Sequence, residues 1–185
     1  MENNKHSSEL SLEELRELIP QLQQLTEKYK RSEAIQKSLF DISELASSVN
    51  ELTSLYPAIH DIIGRFMNAQ NFYVAFYDQT NQLIDFVYFV DQFDEIAVKK
   101  IPASELMGGF TGYIFRTGNH LFLTEETREQ QLAEINVKQI GSGPVDWIGV
   151  PLKRGNQVIG AMVVQSYDKA IRYTHEDLDI LLFVS

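Results

Sequence analysis

The feature that most constrains the fold is a hairpin pattern near the C-terminus, where two long apolar runs flank a short polar turn. The arms read DWIGVPLKR and QVIGAMVVQ, and Gly155-Asn156 form the predicted loop between them. This loop predicts that Val150 pairs with Ala161 on one face of the hairpin, and the other face is equally apolar. A hairpin on a protein surface would keep one polar face. The sequence therefore predicts a sheet that is covered on both sides.

The composition places this hairpin in a globular protein. The chain has 185 residues, of which 44% are hydrophobic and 23% are charged, enough for one domain and an extension. The formal net charge of -10 disfavours binding to nucleic acid or to an anionic membrane, because both need a cationic surface. The sequence has no apolar signal core and no apolar run near the roughly 20 residues of a membrane span. We therefore expect a soluble cytoplasmic protein.

The N-terminal region has the pattern of a coiled coil. Ser11 and Glu14 fit a capping box at the start of a helix. Pro20 predicts either a kink or the start of a new helix. Residues 1–38 are predicted to form a helical, coiled-coil-like linker through which the chain forms a homodimer. The seam residues recur at alternating spacings of three and four, and they are Leu15, Leu18, Leu22, Leu25 and Tyr29.

Residues 39–185 predict an α+β domain. A helix from about Leu52 to Met67 precedes two strands, and a glycine-rich turn then leads into a short helix, a short strand and a solvated helix before the hairpin. The segment between the second strand and the glycine-rich turn is ambiguous between an irregular strand and a loop. Thr174 caps a final helix that stops in mid-pattern at Ser185, which predicts a longer protein. This order of elements predicts an antiparallel core sheet covered by helices.

Three segments of this domain resemble a known family. They read GGFTGYIFRTGNHLFL, GSGPVDWIGVPLKRGNQVIGAMVVQSYD and YTHEDLDILLFVS. In this order they resemble a GAF domain from about Leu39 to Ser185, most closely the GAF sensor modules of bacterial diguanylate cyclases (GGDEF proteins) and sensor histidine kinases. The resemblance implies a GAF-like antiparallel sheet of five or six strands with helices on both faces. It also implies a small-molecule pocket on the face opposite the terminal helices.

Several activities of GAF-like domains need residues that this chain does not have. Covalent bilin attachment and methionine sulfoxide reduction use cysteines, and the chain has none. The dispersed signature of cyclic-nucleotide GAF domains is missing, because Phe93-Asp94-Glu95 is contiguous. The boundary positions of His60 and His120 are typical of packing residues rather than haem ligands. No phosphate-binding motif and no catalytic constellation is present. We expect a non-enzymatic domain without a cofactor or a metal.

The resemblance implies a pocket bounded by the second strand, the glycine-rich helix entry and the open ends of the hairpin. The predicted register puts Asp146 opposite Gln165, and Trp147 on the other face of the sheet. An aromatic wall with one carboxylate and one amide suits a small, flat or cationic organic ligand better than a phosphate. The predicted ligand-binding residues are Tyr88, Phe93, Phe110, Tyr113, Asp146, Trp147 and Gln165.

Two functions are compatible with these patterns. The first is a non-enzymatic input domain that senses a small molecule and regulates a C-terminal output domain. The resemblance favours a diguanylate cyclase, which makes cyclic di-GMP, as that output, and a histidine kinase is next. The alternative is a ligand-free module for dimerisation and signal relay, whose pocket is filled by its own aromatic residues. The helical seam and the content of 11 Phe and 8 Tyr residues favour this alternative.

Overall fold

A computed structural model describes residues 12–48, 52–95 and 100–185. The chain divides into two compact units with a boundary between Asp41 and Ile42. The elements, in chain order, are α1 (Leu12–Ser48), α2 (Leu52–Ile63), β1 (Asn71–Asp78), β2 (Leu83–Val90), β3 (Lys100–Pro102), α3 (Ala103–Leu106), α4 (Phe110–Thr117), β4 (Leu121–Leu123), α5 (Arg128–Ile135), β5 (Asp146–Arg154), β6 (Gln157–Ser166) and α6 (His175–Val184).

Helix α1 continues through Pro20 as one element. The proline removes one backbone hydrogen bond, yet the helix neither ends nor restarts there. The predicted capping box includes Ser11, which lies outside the described residues. Five apolar seam residues of α1 are exposed, and they are Leu15, Leu18, Leu22, Leu25 and Tyr29.

The domain from Ile42 onward is built on a six-stranded antiparallel sheet with the order β3-β2-β1-β6-β5-β4. Helices α3, α4 and α5 pack on one face, which we call the α4 face. Helices α2 and α6 pack on the other, which we call the α6 face. Most residues of β5 and β6 are buried, so both faces of the central hairpin are covered. The predicted α+β fold with helices on both faces is confirmed.

The register of the central hairpin differs from the predicted one. Close to the turn the predicted pairs form, with Lys153 opposite Val158. A β-bulge then adds one residue to β6, so that Asp146 pairs with Ser166 and Trp147 pairs with Gln165. Because side chains alternate along a strand, this shift puts Trp147, and not Asp146, on the same face of the hairpin as Gln165. Trp147 and Gln165 share the α4 face, whereas Asp146 belongs to the α6 face.

A second bulge lies between β1 and β2. Val74 pairs with Tyr88 and Ala75 pairs with Phe86, which leaves Val87 as the additional residue. Val87 and Tyr88 consequently both pack on the α6 face, while Phe86 and Phe89 both pack on the α4 face. The bulge therefore interrupts the regular alternation of this strand.

The ends of the domain follow the sequence closely. Thr174 caps α6, as the sequence predicted, and the structure adds a complete capping box with Asp177. The ambiguous segment before the glycine-rich turn contains the short strand β3 and the single turn α3, and its residues 96–99 lie outside the described residues. None of the described helices is long and apolar enough to cross a membrane.

Candidate functional site

A cavity of about 310 Å³ opens on the α4 face of the sheet. Strands β1, β2, β5 and β6 form one side of it, and the start of α4 together with two loops forms the other. Its volume is at the lower end of the range that holds small organic ligands. The lining residues include Tyr73, Phe86, Phe89, Asp94, Glu95, Leu106, Phe110, Thr111, Ser142, Trp147 and Gln165.

Five aromatic residues form what we call the aromatic wall of the cavity. The ring of Tyr73 stacks on Phe89 with a centroid distance of 5.6 Å, and Phe86 meets Phe89 edge to face at 5.8 Å. Phe110 and Trp147 form a second edge-to-face pair at 5.4 Å. Such pairs hold the rings in fixed orientations. The wall is therefore preorganised by contacts among its own members.

The Tyr73 hydroxyl is the central polar group of this wall. It forms a hydrogen bond of 2.8 Å with Oγ1 of Thr111, and the Trp147 side chain is a second partner. Burial raises the pKa of Tyr73 above its ordinary value, and the negative charges of Asp91 and Asp94 raise it further, against the lowering effect of the two hydrogen bonds. The charges of Asp91 and Asp94 therefore reach the Tyr73 hydroxyl in the cavity.

Asp94 and Glu95 line the cavity, and Asp91 accepts a hydrogen bond from the lining residue Gln165; we call these three carboxylates the acidic rim. Nε2 of Gln165 donates to Asp91 at 2.5 Å and to the Tyr167 hydroxyl at 2.9 Å. The Tyr167 hydroxyl lies 3.2 Å from both Asp91 oxygens and 3.4 Å from Asp94. Burial and the two aspartates raise the pKa of Tyr167, so the hydroxyl stays protonated as a donor.

Asp94 also holds the loop that precedes β5. Its carboxylate accepts a hydrogen bond of 2.7 Å from the Ser142 hydroxyl and longer ones from the Ser142 backbone N–H. Gly141 has a φ of 83°, and a Cβ there would lie 2.9 Å from Asp94. Asp94 thus connects the segment after β2 to the opposite loop across the entrance of the cavity.

The structure brings together three of the seven residues that the sequence assigned to the pocket. Phe110, Trp147 and Gln165 all line the cavity. The other four lie elsewhere. The two bulges account for Tyr88 and Asp146, and the positions of Phe93 after β2 and of Tyr113 within α4 account for the remaining two.

Tyr88 and Asp146 lie on the α6 face. The Tyr88 hydroxyl is 2.9 Å from Nδ1 of His60 on α2, and the Tyr88 ring packs against Phe72. Burial raises the pKa of Tyr88, with a smaller contribution from the charge of Asp61. Tyr88 and Asp146 therefore lie on the opposite side of the sheet from this cavity.

Phe93 and Tyr113 lie outside the cavity for a different reason. Phe93 is 65% exposed, and its ring contacts Tyr167 on the outer side of the rim. Tyr113, on α4, borders a separate depression beside the edge strand β4, together with His120 and His175. Only the first residues of α4 reach the cavity, because the helix turns the following side chains away.

Sequence reasoning missed several residues that the cavity uses. The alternation of NFYVAFY could have predicted Tyr73 on this face, because Tyr73 precedes Ala75 by two positions and shares its face. Phe89 was not available, because the bulge at Val87 changes its face. Asp94 comes from a loop, where no periodicity exists to place it. Among the described residues, no group of three or more potential ligands could hold a metal ion.

Comparison with known proteins gives the family. The model of the GAF domain family matches residues 49–185. No curated protein sequence matches this chain significantly. The GAF domain of an Acinetobacter phosphoenolpyruvate-protein phosphotransferase is 14% identical, with a TM-score of 0.62 over 84% of this chain and 87% of that chain.

Two further solved structures share the fold. The free methionine-R-sulfoxide reductase from Neisseria meningitidis, in complex with its substrate, is 14% identical, with a TM-score of 0.59 over 81% of this chain and 83% of that chain. The phycocyanobilin-bound GAF domain of a cyanobacterial phytochrome is 9% identical, with a TM-score of 0.59 over 81% and 88%. The chain belongs to the GAF domain family, whose members are small-molecule sensing modules of signalling proteins.

Proposed function

We propose that the domain from Ile42 to Ser185 is a non-enzymatic input domain that binds a small organic molecule in the cavity on the α4 face. The observation that carries this proposal is the open volume of about 310 Å³ behind a preorganised aromatic wall. The alternative, a ligand-free module, would be favoured by rings that fill this volume. The five rings instead contact one another around it.

The proposed consequence of binding is a change in a further domain of a longer protein. A diguanylate cyclase is our first choice for this output and a histidine kinase the second, and both rest on the sequence resemblance alone. The proposed partner is a second copy of the chain, which would pack along the exposed seam of α1. We further propose a cytoplasmic location, since the acidic composition without cysteine suits a reducing compartment.

Trp147 makes this proposal directly testable, because it is the only tryptophan of the chain and it lines the cavity. A library of small metabolites would be screened by thermal shift, and every hit would be titrated against the fluorescence of Trp147. We expect at least one compound to raise Tm and to change this fluorescence in a saturable manner.

Two variants would locate the binding site. Leu106→Phe adds volume inside the cavity and should abolish both signals, whereas Phe93→Ala removes an exposed ring outside it and should retain them. A hit that binds Leu106→Phe as tightly as the parent protein would contradict the proposed site. A library without any hit would favour the ligand-free alternative.

A further inference from the structure

We infer that the cavity is selective for a small organic cation, an alkylated or protonated amine whose charged head contacts the aromatic wall and faces the acidic rim. This inference rests on the proposed function and names the ligand class of the same site. Rings such as Tyr73, Phe89 and Trp147 offer a negative π-face, which attracts a cation more strongly where water is excluded. The neutral alternative would gain only the apolar contact.

Among the described residues, the charged side chains that line the cavity are carboxylates. Asp94 and Glu95 line it, and Asp91 accepts a hydrogen bond from the lining residue Gln165. Among the residues that the structure describes, no lysine, arginine or histidine lines the cavity. An anionic ligand would therefore enter a negative field without a cationic partner, which is unfavourable.

The polar groups of the wall and rim show the same preference. The Nε2 group of Gln165 already donates to Asp91 and Tyr167, which leaves the side-chain oxygen Oε1 as an acceptor for a ligand. The Tyr73 hydroxyl and Thr111 are paired with each other. The bond between the two hydroxyls uses one of their two protons, so this pair keeps one donor beside its acceptor lone pairs. Together with the Gln165 acceptor and the π-faces of the wall, this set accommodates a ligand that donates or carries positive charge.

Two features compete with this preference. Gly109, Phe110 and Thr111 at the start of α4 border the cavity, and the Arg128 guanidinium donates to the carbonyl oxygen of the lining residue Pro144. A helix N-terminus carries the equivalent of about half a positive charge and favours anions. Three carboxylates oppose these two positive features, since Asp94 and Glu95 line the cavity and Asp91 accepts a hydrogen bond from Gln165, so the balance of charge still favours a cation. A zwitterion is the form that could use charges of both signs, and the experiment therefore includes one.

The experiment uses choline and three compounds of the same shape, each titrated into the full chain with Trp147 fluorescence and with calorimetry. Dimethylbutanol replaces the quaternary nitrogen by carbon and is neutral, dimethylbutanoate is the corresponding anion, and glycine betaine is the zwitterion. We expect choline to bind at least about fivefold more tightly than dimethylbutanol, which is the difference that a cation–π contact supplies. Binding of choline should weaken as salt is raised.

Substitutions then assign the effect to named residues. Glu95→Gln removes one rim charge and leaves the bonds among Asp91, Tyr167 and Asp94 intact, so choline should bind about two- to fivefold more weakly while dimethylbutanol is unaffected. Phe89→Leu should weaken choline more than dimethylbutanol, because leucine keeps the apolar contact and loses the π-face. Glu129→Gln is the matched control, since this exposed carboxylate lies on α5 and does not line the cavity.

The possible results separate this inference from the proposed function. If dimethylbutanol or dimethylbutanoate binds as tightly as choline, or if choline does not bind, the inference of a cationic ligand is wrong. The sensor proposal survives that result if another compound of the library binds and Leu106→Phe abolishes its binding. Tighter binding of glycine betaine than of choline would also overturn the inference, because the start of α4 would then determine the ligand class.

Discussion

Asp146 and Trp147 are consecutive residues of β5 that serve opposite faces of the sheet. Trp147 lines the cavity, whereas the fully buried carboxylate of Asp146 accepts hydrogen bonds from the backbone N–H of Tyr173 at 2.8 Å and from Nε of Arg172 at 3.0 Å. Tyr173 lies two residues before α6 begins at His175. The residue that holds the start of α6 is therefore the neighbour of a residue in the aromatic wall.

We predict that Asp146→Asn lowers the free energy of unfolding by about 2 kcal/mol, because it removes the charge that Arg172 and the Tyr173 N–H face in a buried position. Glu126→Gln is the control. Glu126 also pairs with Arg172, but its side chain is 64% exposed, so solvent screens the pair and its loss should change stability much less than Asp146→Asn does. Urea denaturation of the two variants would measure both values.

The position of Asp146 on the face opposite Trp147 gives a second prediction, which concerns ligand affinity. Because Asp146 does not line the cavity, Asp146→Asn should leave the affinity for a cavity ligand within about twofold, provided that the assay temperature keeps the variant folded. A large loss of affinity in the folded variant, with unchanged stability, would return Asp146 to the binding site and contradict the observed register.

Much of the fold could be predicted from the sequence, because the strongest patterns are local or are repeated along a segment. The dry hairpin predicted a sheet covered on both sides, and Thr174 predicted the start of α6. The Gly155-Asn156 loop alone could not predict which residues of β5 share a face with Gln165, since the bulge in β6 depends on packing against neighbouring strands. One additional residue, Ile159, was enough to make Trp147 the partner of Gln165 in place of Asp146.

The candidate site was less predictable than the fold for the same physical reason. Phe110 was found because it follows a glycine-rich helix entry, which is a local signal. The acidic rim depends on Asp91 and Asp94, which lie in a turn and reach Gln165 and Ser142 across more than 40 positions of sequence. Contacts of that kind leave no periodicity, so they follow only from the three-dimensional structure.

The glycine-rich entry to α4 gives a prediction about packing. A Cβ on Gly112 would lie 2.4 Å from the backbone of Met107, whereas a Cβ on Gly108 would meet no atom within 4 Å. Gly112→Ala should therefore lower the free energy of unfolding by about 2 kcal/mol or more, because α4 must move away from the preceding turn. Gly108→Ala is the control and should change stability by less than about 1 kcal/mol. Equal stability of the two variants in thermal unfolding would contradict this close approach.

The buried Tyr73 predicts a loss of stability in alkaline solution. Its pKa is raised in the folded protein, so above about pH 10 the folded state retains a proton that the unfolded state loses. The corresponding stabilisation is complete below about pH 10 and is lost as the pH rises further, by up to about 1.4 kcal/mol per pH unit. Urea denaturation between pH 7 and pH 11 would measure this loss.

Tyr73→Phe isolates this contribution from those of the other tyrosines. The variant should be less stable than the parent at pH 7 by about 1 kcal/mol, because Thr111 and Trp147 lose a hydrogen-bond partner. The difference should shrink above about pH 10. A difference that stays constant from pH 7 to pH 11 would show that Tyr73 ionises in the folded state as it does in water.

The exposed seam of α1 predicts self-association. Leu22 is 51% exposed in the isolated chain, and burial of a leucine side chain on association contributes about 1.5–3 kcal/mol. Leu22→Glu, which acts once in each copy, should weaken a homodimer by about 100-fold or more.

Gln24→Glu introduces the same charge on the same helix at a position away from the seam, and it should leave the dimer largely intact. Light scattering across a concentration series, repeated on a chain that lacks residues 1–33, would measure these changes. If Leu22→Glu and the truncated chain both dimerise as tightly as the parent, the interface lies elsewhere in the chain.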